Sequence, residues 1–276
     1  MARPAWFVEV LKKAFPRRFL LAKLTKVPVL GKPMVRLLDK LLFKGTYIMY
    51  LPKDQVIQLG QVVKRGEEVI LPSRIVEHFI EKANYHWIMN FCICRAAEKC
   101  KKYPIELGCL FLGEAVNGIN PQFGRLVTKE EALEHVKRCR EAGLVHMIGR
   151  DKLDTSWLNI GPEEKLLTIC NCCECCCLWR LLPDLASSLG NTVKRIPGVQ
   201  VKVTARCVGC GTCSKGVCFV DAIHVMTNKA FINESICRGC GRCVSICPQK
   251  AIELEITDPD FLEKSIRHIT SLVDIS

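Results

Sequence analysis

The sequence predicts an α+β fold in two parts. A small unit of two short β-hairpins and two short helices lies near the C-terminus. It follows a mixed, mainly helical, cysteine-rich region. Three observations lead there. Two runs, Cys207-x2-Cys210-x2-Cys213-x4-Cys218 and Cys237-x2-Cys240-x2-Cys243-x3-Cys247-Pro248, repeat at an offset near thirty. The stretches Val201 to Thr204 and Glu253 to Ile256 alternate as strands do, and Val225 to Ile232 reads as a hairpin with Asn228 at its tip. Upstream, Thr128-Lys129-Glu130-Glu131 is a capping box opening a helix from Lys129 to Ala142.

In the C-terminal unit, Gly209 and Gly211 match Gly239 and Gly241, and Ala222-Ile223 match Ala251-Ile252. A backbone that curls around an inorganic core needs such glycines, free of Cβ. The second run fits the C-x2-C-x2-C-x3-C-P signature of bacterial ferredoxins, and the first departs by one residue before Cys218 and by Phe219 where proline is usual. Residues 201–256 therefore resemble the dicluster, 2[4Fe–4S] ferredoxin family. The resemblance implies two cubanes with exchanged fourth ligands. Cys207, Cys210, Cys213 and Cys247 would hold cluster 1, and Cys237, Cys240, Cys243 and Cys218 cluster 2.

The chain has 276 residues and nineteen cysteines, many adjacent or two apart. Such crowding suits metal ligation in a reducing cytoplasm better than disulfides, because neighbouring cysteines cannot all pair with good geometry. Charges at Glu9, Lys12, Lys13, Arg17 and Arg18 leave no secretory h-region, and no apolar run reaches spanning length. The expectation is a cytoplasmic protein, peripheral at the inner face of a membrane at most, from an anaerobe.

The organisation expected is a basic amphipathic segment (1–50), a cysteine-rich mixed α/β domain (51–198), the dicluster domain (199–256) and a C-terminal helix (257–276). Residues 1–44 carry eleven Lys and Arg against Glu9 and Asp39. Phe7, Val8, Leu11, Ala14 and Phe15 share one helical face, and Met34, Leu37, Leu38, Leu41 and Leu42 another. Three readings are open: contact with an anionic membrane surface, docking on an acidic partner, or ordinary packing on the core. Val69 to Lys82 reads as a short strand entering a helix. Pro197-Gly198 reads as a linker, and Thr257-Asp258-Pro259 opens the terminal helix. The sequence shows no pattern for nucleic acid.

Ten further thiols lie in the middle: Cys92, Cys94, Cys100, Cys109, Cys170, Cys172, Cys173, Cys175, Cys176 and Cys177. Six cysteines in eight positions have no ordinary packing purpose, and thiolates that close repel unless a metal neutralises them. One or two additional iron–sulfur clusters are expected there, on a subset of the ten. Cys94, Cys100 and Cys109 with one residue of 170–177 is one ligand set; another adds Cys92 and lets 170–177 hold its own cluster. Redox-active thiols and zinc remain open as well. Cys139 is read as a packed helix residue, and His86, His135 and His146 as structural. The CxCR motif at Cys92, GCLFLGEA (Gly108 to Ala115), Val127 to His146 and CNCCxCCC at Cys170 together resemble an anaerobe family of 4Fe-4S dicluster-domain proteins. That resemblance implies one site shared by both middle groups.

The function expected is single-electron transfer to or from a redox partner protein, as a subunit or partner of an oxidoreductase. Lys215, Arg238 and Arg242 flank the ligand loops, where they would raise cluster potentials or meet an acidic partner. No GxGxxG fingerprint or P-loop is present, and no residue is singled out as catalytic. An oxidoreductase with an atypical middle cluster, or a thiol redox sensor, is the alternative.

Overall fold

The computed structural model describes residues 2–54, 64–65, 68–69 and 71–276. Three helices lead: α1 (Ala5–Ala14), α2 (Arg18–Leu24) and α3 (Gly31–Leu38). Strand β1 (Tyr47–Tyr50) follows, then the two-residue strands β2 (Lys64–Arg65) and β3 (Glu68–Val69), which pair with each other. Next come α4 (Ser73–Lys82), β4 (His86–Met89), α5 (Ile93–Ala97), β5 (Leu110–Leu112), β6 (Gly124–Leu126), α6 (Lys129–Glu141), β7 (Val145–Arg150), α7 (Lys152–Leu158) and β8 (Leu167–Cys172). Helix α8 (Ser187–Gly190) and β9 (Val193–Arg195) lead into the C-terminal unit.

The α+β class holds, and the middle region adds a seven-stranded sheet ordered β6-β4-β5-β8-β7-β1-β9. Every pairing is antiparallel except β1 with β9. Its inner strands are short apolar runs such as Tyr47–Tyr50 and Leu110–Leu112, buried on both faces, so they lack the alternation that marks a half-exposed strand. Helix α6 starts where expected: Thr128 Oγ1 accepts from Glu131 N at 3.2 Å, and Glu131 Oε2 accepts from Thr128 N at 2.9 Å.

The C-terminal unit comprises β10 (Val199–Val203), β11 (Ile223–Met226), β12 (Lys229–Ile232), α9 (Arg242–Ile246) and β13 (Ile252–Ile256). β11 and β12 form the expected hairpin, with Thr227 and Asn228 at positive φ (48° and 58°), as a type I′ turn requires. The other pair is not a hairpin: β10 joins β13, the first strand of the unit to its last. A 3-10 turn, Thr212–Ser214, occupies the first run where α9 occupies the second. Helix α10 (Phe261–Thr270) closes the chain with Phe261 and Ile269 buried.

Val199, Val201, Leu254 and Ile256 share one apolar core with Ile75, Phe79, Leu110 and Ile148 of the sheet and its covering helix. The repeat unit thus packs directly against the seven-stranded sheet. Residues 196–198 are a short connection between β9 and β10, with Ile196 buried.

Candidate iron–sulfur and metal centres

The glycines of the repeat take the backbone shape anticipated for them. Gly209 and Gly239 sit at φ 67° and 66°, and Gly211 and Gly241 both at 76°. A Cβ on Gly239 would come within 2.4 Å of Val199, and one on Gly209 within 2.5 Å of the Asn228 backbone. The curled loops bring Cys207, Cys210, Cys213 and Cys247 around one pocket, and Cys218, Cys237, Cys240 and Cys243 around a second. Backbone donors aim at the sulfurs. Ala230 N donates to Cys207 Sγ, Ala222 N to Cys218 Sγ and Ala251 N to Cys247 Sγ, each at 3.3 Å. The Cys218–Ala222 and Cys247–Ala251 bonds are repeat-equivalent, so the extra residue before Cys218 is absorbed without disturbing that geometry. Such bonds favour a charged, metal-bound sulfur.

Strand topology gathers the middle cysteines. β4 and β8 run opposite to β5, so the C-terminal ends of β4 and β8 and the start of β5 lie along one edge of the sheet. Cys92 and Cys94 follow β4, Cys109 precedes β5, and Cys170 and Cys172 share one face at the end of β8. With Cys177 they line a cavity of about 310 Å³, which Cys173 also borders. Cys109 Sγ and Cys170 Sγ are 3.6 Å apart. Leu11, Ala14 and Phe15 of the N-terminal helices form its roof, with Trp157 and Trp179 in the walls.

Two buried cations serve this thiol chamber. Arg95, fully buried, donates from Nε to Pro104 O at 2.9 Å, from Nη1 to Asn171 O at 2.8 Å, and from Nη2 to Leu107 O. Arg18 donates from Nη1 to Glu98 at 2.5 Å and to Phe15 O at 3.0 Å, while its Nε and Nη2 are buried with no protein partner among the described residues. A hydrogen bond from Cys94, then the charge of Arg95, bring the Cys92 thiol down to about 6 despite burial. Cys94 and Cys109 are pushed well up, first by donating to Cys92 and Cys170 and then by burial. The chamber so built suits an anionic, thiolate-bound inorganic core: iron would supply the positive charge that six crowded sulfurs need.

Cys100 lies outside the chamber lining and joins Cys173, Cys175 and Cys176 in a second group. The two middle stretches therefore meet, as the idea of a shared site anticipates, but in two adjoining arrangements. Glu174 anchors the second. It pairs with Lys102 and, at 2.8 Å, with Arg242 beside the Cys240–Cys243 loop, and it accepts from Tyr103 Oη at 3.0 Å. Burial raises its carboxyl, but the Lys102 and Arg242 charges win and hold it below the usual range. Cys139 is fully buried next to this group and its thiol is pushed up to about 12 by burial. His86, His135 and His146 bond to Ile80 O, Gly108 O and Asn171 Oδ1.

Sequence reasoning missed Tyr50. It is fully buried at the end of β1, lines the pocket of Cys218 and Cys240, and packs in one core with Cys172 and Cys177. Its hydroxyl has no partner among the described residues, and burial, then the charges of Cys177 and Cys172, keep it protonated.

Residues 230–253 match the model of the 4Fe-4S binding domain family. The C-terminal unit therefore carries a 4Fe-4S binding domain. The chain is 28% identical over 203 residues to a subunit of the ion-translocating oxidoreductase complex of Methanosarcina acetivorans. That similarity covers 71% of this chain and 66% of the relative, so the chain spans just under two thirds of that protein. No solved structure matches. No helix of the described residues is long and apolar enough to cross a membrane.

Proposed function

We propose that this chain is a wiring subunit of a larger redox assembly, with a ferredoxin unit (199–256) at one end and a further cluster in the thiol chamber at the other. Cys207, Cys210, Cys213 and Cys247 hold one cubane, and Cys237, Cys240, Cys243 and Cys218 the other. The chamber cluster draws its ligands from Cys92, Cys94, Cys109, Cys170, Cys172 and Cys177. One observation carries the reading. Cys172 and Cys177 of the chamber and Cys218, Cys237 and Cys240 of the ferredoxin unit belong to a single apolar core, with Tyr50 and Phe219 (ring centroids 5.3 Å apart) in the same core. Bound clusters supply the single-electron chemistry; the chain's part is to hold them in one dry, contiguous interior with cations nearby.

The relative is by name part of an ion-translocating complex. Membership in a comparable assembly, with redox partner proteins, fits the exposed surface of residues 1–44. Trp6, Val10, Leu20, Val29, Leu30, Leu37 and Leu41 are exposed there beside Lys13, Arg17, Lys23, Lys32, Arg36 and Lys40. Val8, Ala22 and Phe43 turn inward and fix the segment to the body. An apolar surface rimmed by cations suits the interface of an anionic bilayer.

Anaerobic purification with iron and sulfide counts tests the wire. About eight irons would leave the chamber without a cluster, whereas about twelve with matching sulfide supports one. EPR of Cys92→Ser and Cys172→Ser variants then reads its ligands. Flotation with anionic vesicles at rising salt tests the surface: no binding at low salt refutes membrane contact.

A further inference from the structure

We propose that Cys100, Cys173, Cys175 and Cys176 bind one tetrahedral zinc ion in place of a cubane. This does not rest on the wire reading. The four Sγ atoms all lie within 4.8 Å of one another. Cys175 Sγ is 3.7 Å from Cys100 Sγ and 3.6 Å from Cys176 Sγ. Zinc–sulfur bonds of about 2.3 Å make a tetrahedron with edges of about 3.8 Å. A cubane places an inorganic core between its thiolates and spreads them well beyond that.

The chain contains its own comparison. Among the described residues, the eight ferredoxin thiols form no group able to hold a single metal ion. Where the ferredoxin signature calls for cubanes the thiols do not gather as ligands of one ion; at Cys100 they converge to the spacing of one. None of the four is in a disulfide.

The surroundings suit such an ion. Four thiolates around one divalent cation leave a net charge of −2. Lys102 and Arg242 flank Glu174 within the ligand turn, and Arg95 lies near Cys173. The turn itself is pinned by Cys177 N donating to Cys173 O at 3.3 Å and Arg180 Nη1 donating to Cys175 O at 2.7 Å. The ion would tie the irregular stretch between α5 and β5 to the turn after β8, beside the chamber. Zinc has no redox chemistry, so the site would fix the chamber wall and stand outside electron transfer.

The test uses the full chain purified anaerobically from medium supplied with zinc and iron. Zinc-edge EXAFS of the unaltered protein should give four sulfurs at about 2.3 Å, with about one zinc per chain. Cys100→Ser and Cys176→Ser should lose that zinc and keep iron and sulfide unchanged. Cys100→His, which can still ligate, should retain it, so a fold lost to serine does not mask the answer. Cobalt exchanged into the site should show the ligand-field bands of a CoS4 tetrahedron. Absence of zinc, a nitrogen–oxygen shell, or loss of about four irons with matching sulfide in Cys100→Ser would overturn the proposal.

Discussion

Tyr50→Phe isolates one hydroxyl at the junction between the thiol chamber and the second ferredoxin pocket. The ring is fully buried, so the substitution keeps the packing against Phe219 and deletes a single O–H. Its neighbours Cys177, Cys172, Cys240 and Cys218 belong to the chamber and to the second ferredoxin pocket. The hydroxyl stays protonated, and a buried donor with no protein partner among the described residues is free to serve a cluster sulfur. Hydrogen bonds to charged acceptors contribute about 1.5–3 kcal/mol, and the reduced cluster bears one more negative charge than the oxidised. If about 1 kcal/mol of that bond is specific to the reduced form, its removal lowers the potential by roughly 40 mV for a one-electron couple. Redox titration followed by EPR measures the shift. Unchanged potentials, with the variant more stable by about 1–3 kcal/mol, would mean that the hydroxyl is merely unsatisfied and that the reasoning fails.

Glu174→Leu strands Arg242, whose side chain is under 10% exposed, and should cost about 3–5 kcal/mol in anaerobic urea unfolding; Arg242→Leu should cost less, because Lys102 still pairs with Glu174, and the double variant should cost less than the two added together. Burial depresses His146 from the ordinary 6.5 to about 4 in the folded chain, so the neutral ring stabilises the fold above about pH 6.5 and the contribution is lost as pH falls toward 4. The loss should reach about 2 kcal/mol by pH 5, and His146→Gln should flatten that slope in the urea midpoint. Thr128→Ala should cost only about 1 kcal/mol, since it removes one cap bond at an exposed helix start.

What the sequence disclosed follows the range of the physics involved. The ferredoxin loops are local: cysteines three apart, glycines at positive φ and the Asn228 turn depend on neighbours within a few positions, so the strands and turn of residues 201–256 were legible, though not that β10 would pair with β13. The seven-stranded sheet is not local. His86–Met89, Leu110–Leu112 and Leu167–Cys172 are buried on both faces and too short to show a period, and their pairing joins residues far apart in the chain. Because the sheet was hidden, so was the sheet edge that sorts ten cysteines into two groups. Arg18 and Tyr50 carried no signal, because each matters only through contacts between distant parts of the chain, and Arg95 stood out only as a letter of the CxCR motif.

That edge also explains why crowded thiols can be arranged without chaos. Alternation along β8 sends Cys170 and Cys172 to the chamber and Asn171 to the opposite face, where it donates to Gly108 O at 2.7 Å and accepts from His146 at 2.8 Å. The same residue receives Arg95 on its backbone carbonyl. The Asn171 side chain between two cysteines therefore locks the strand that presents them, while its backbone carbonyl holds the cation that faces them. A slip of one position would exchange the faces, burying Asn171 among sulfurs and pressing both thiols against His135 and His146. The CNC triplet at Cys170 is thus a register device as much as a ligand motif. If the chamber holds the proposed cluster, Asn171→Ala should weaken it without removing a single thiol, read as loss of its EPR signal while the ferredoxin signals persist.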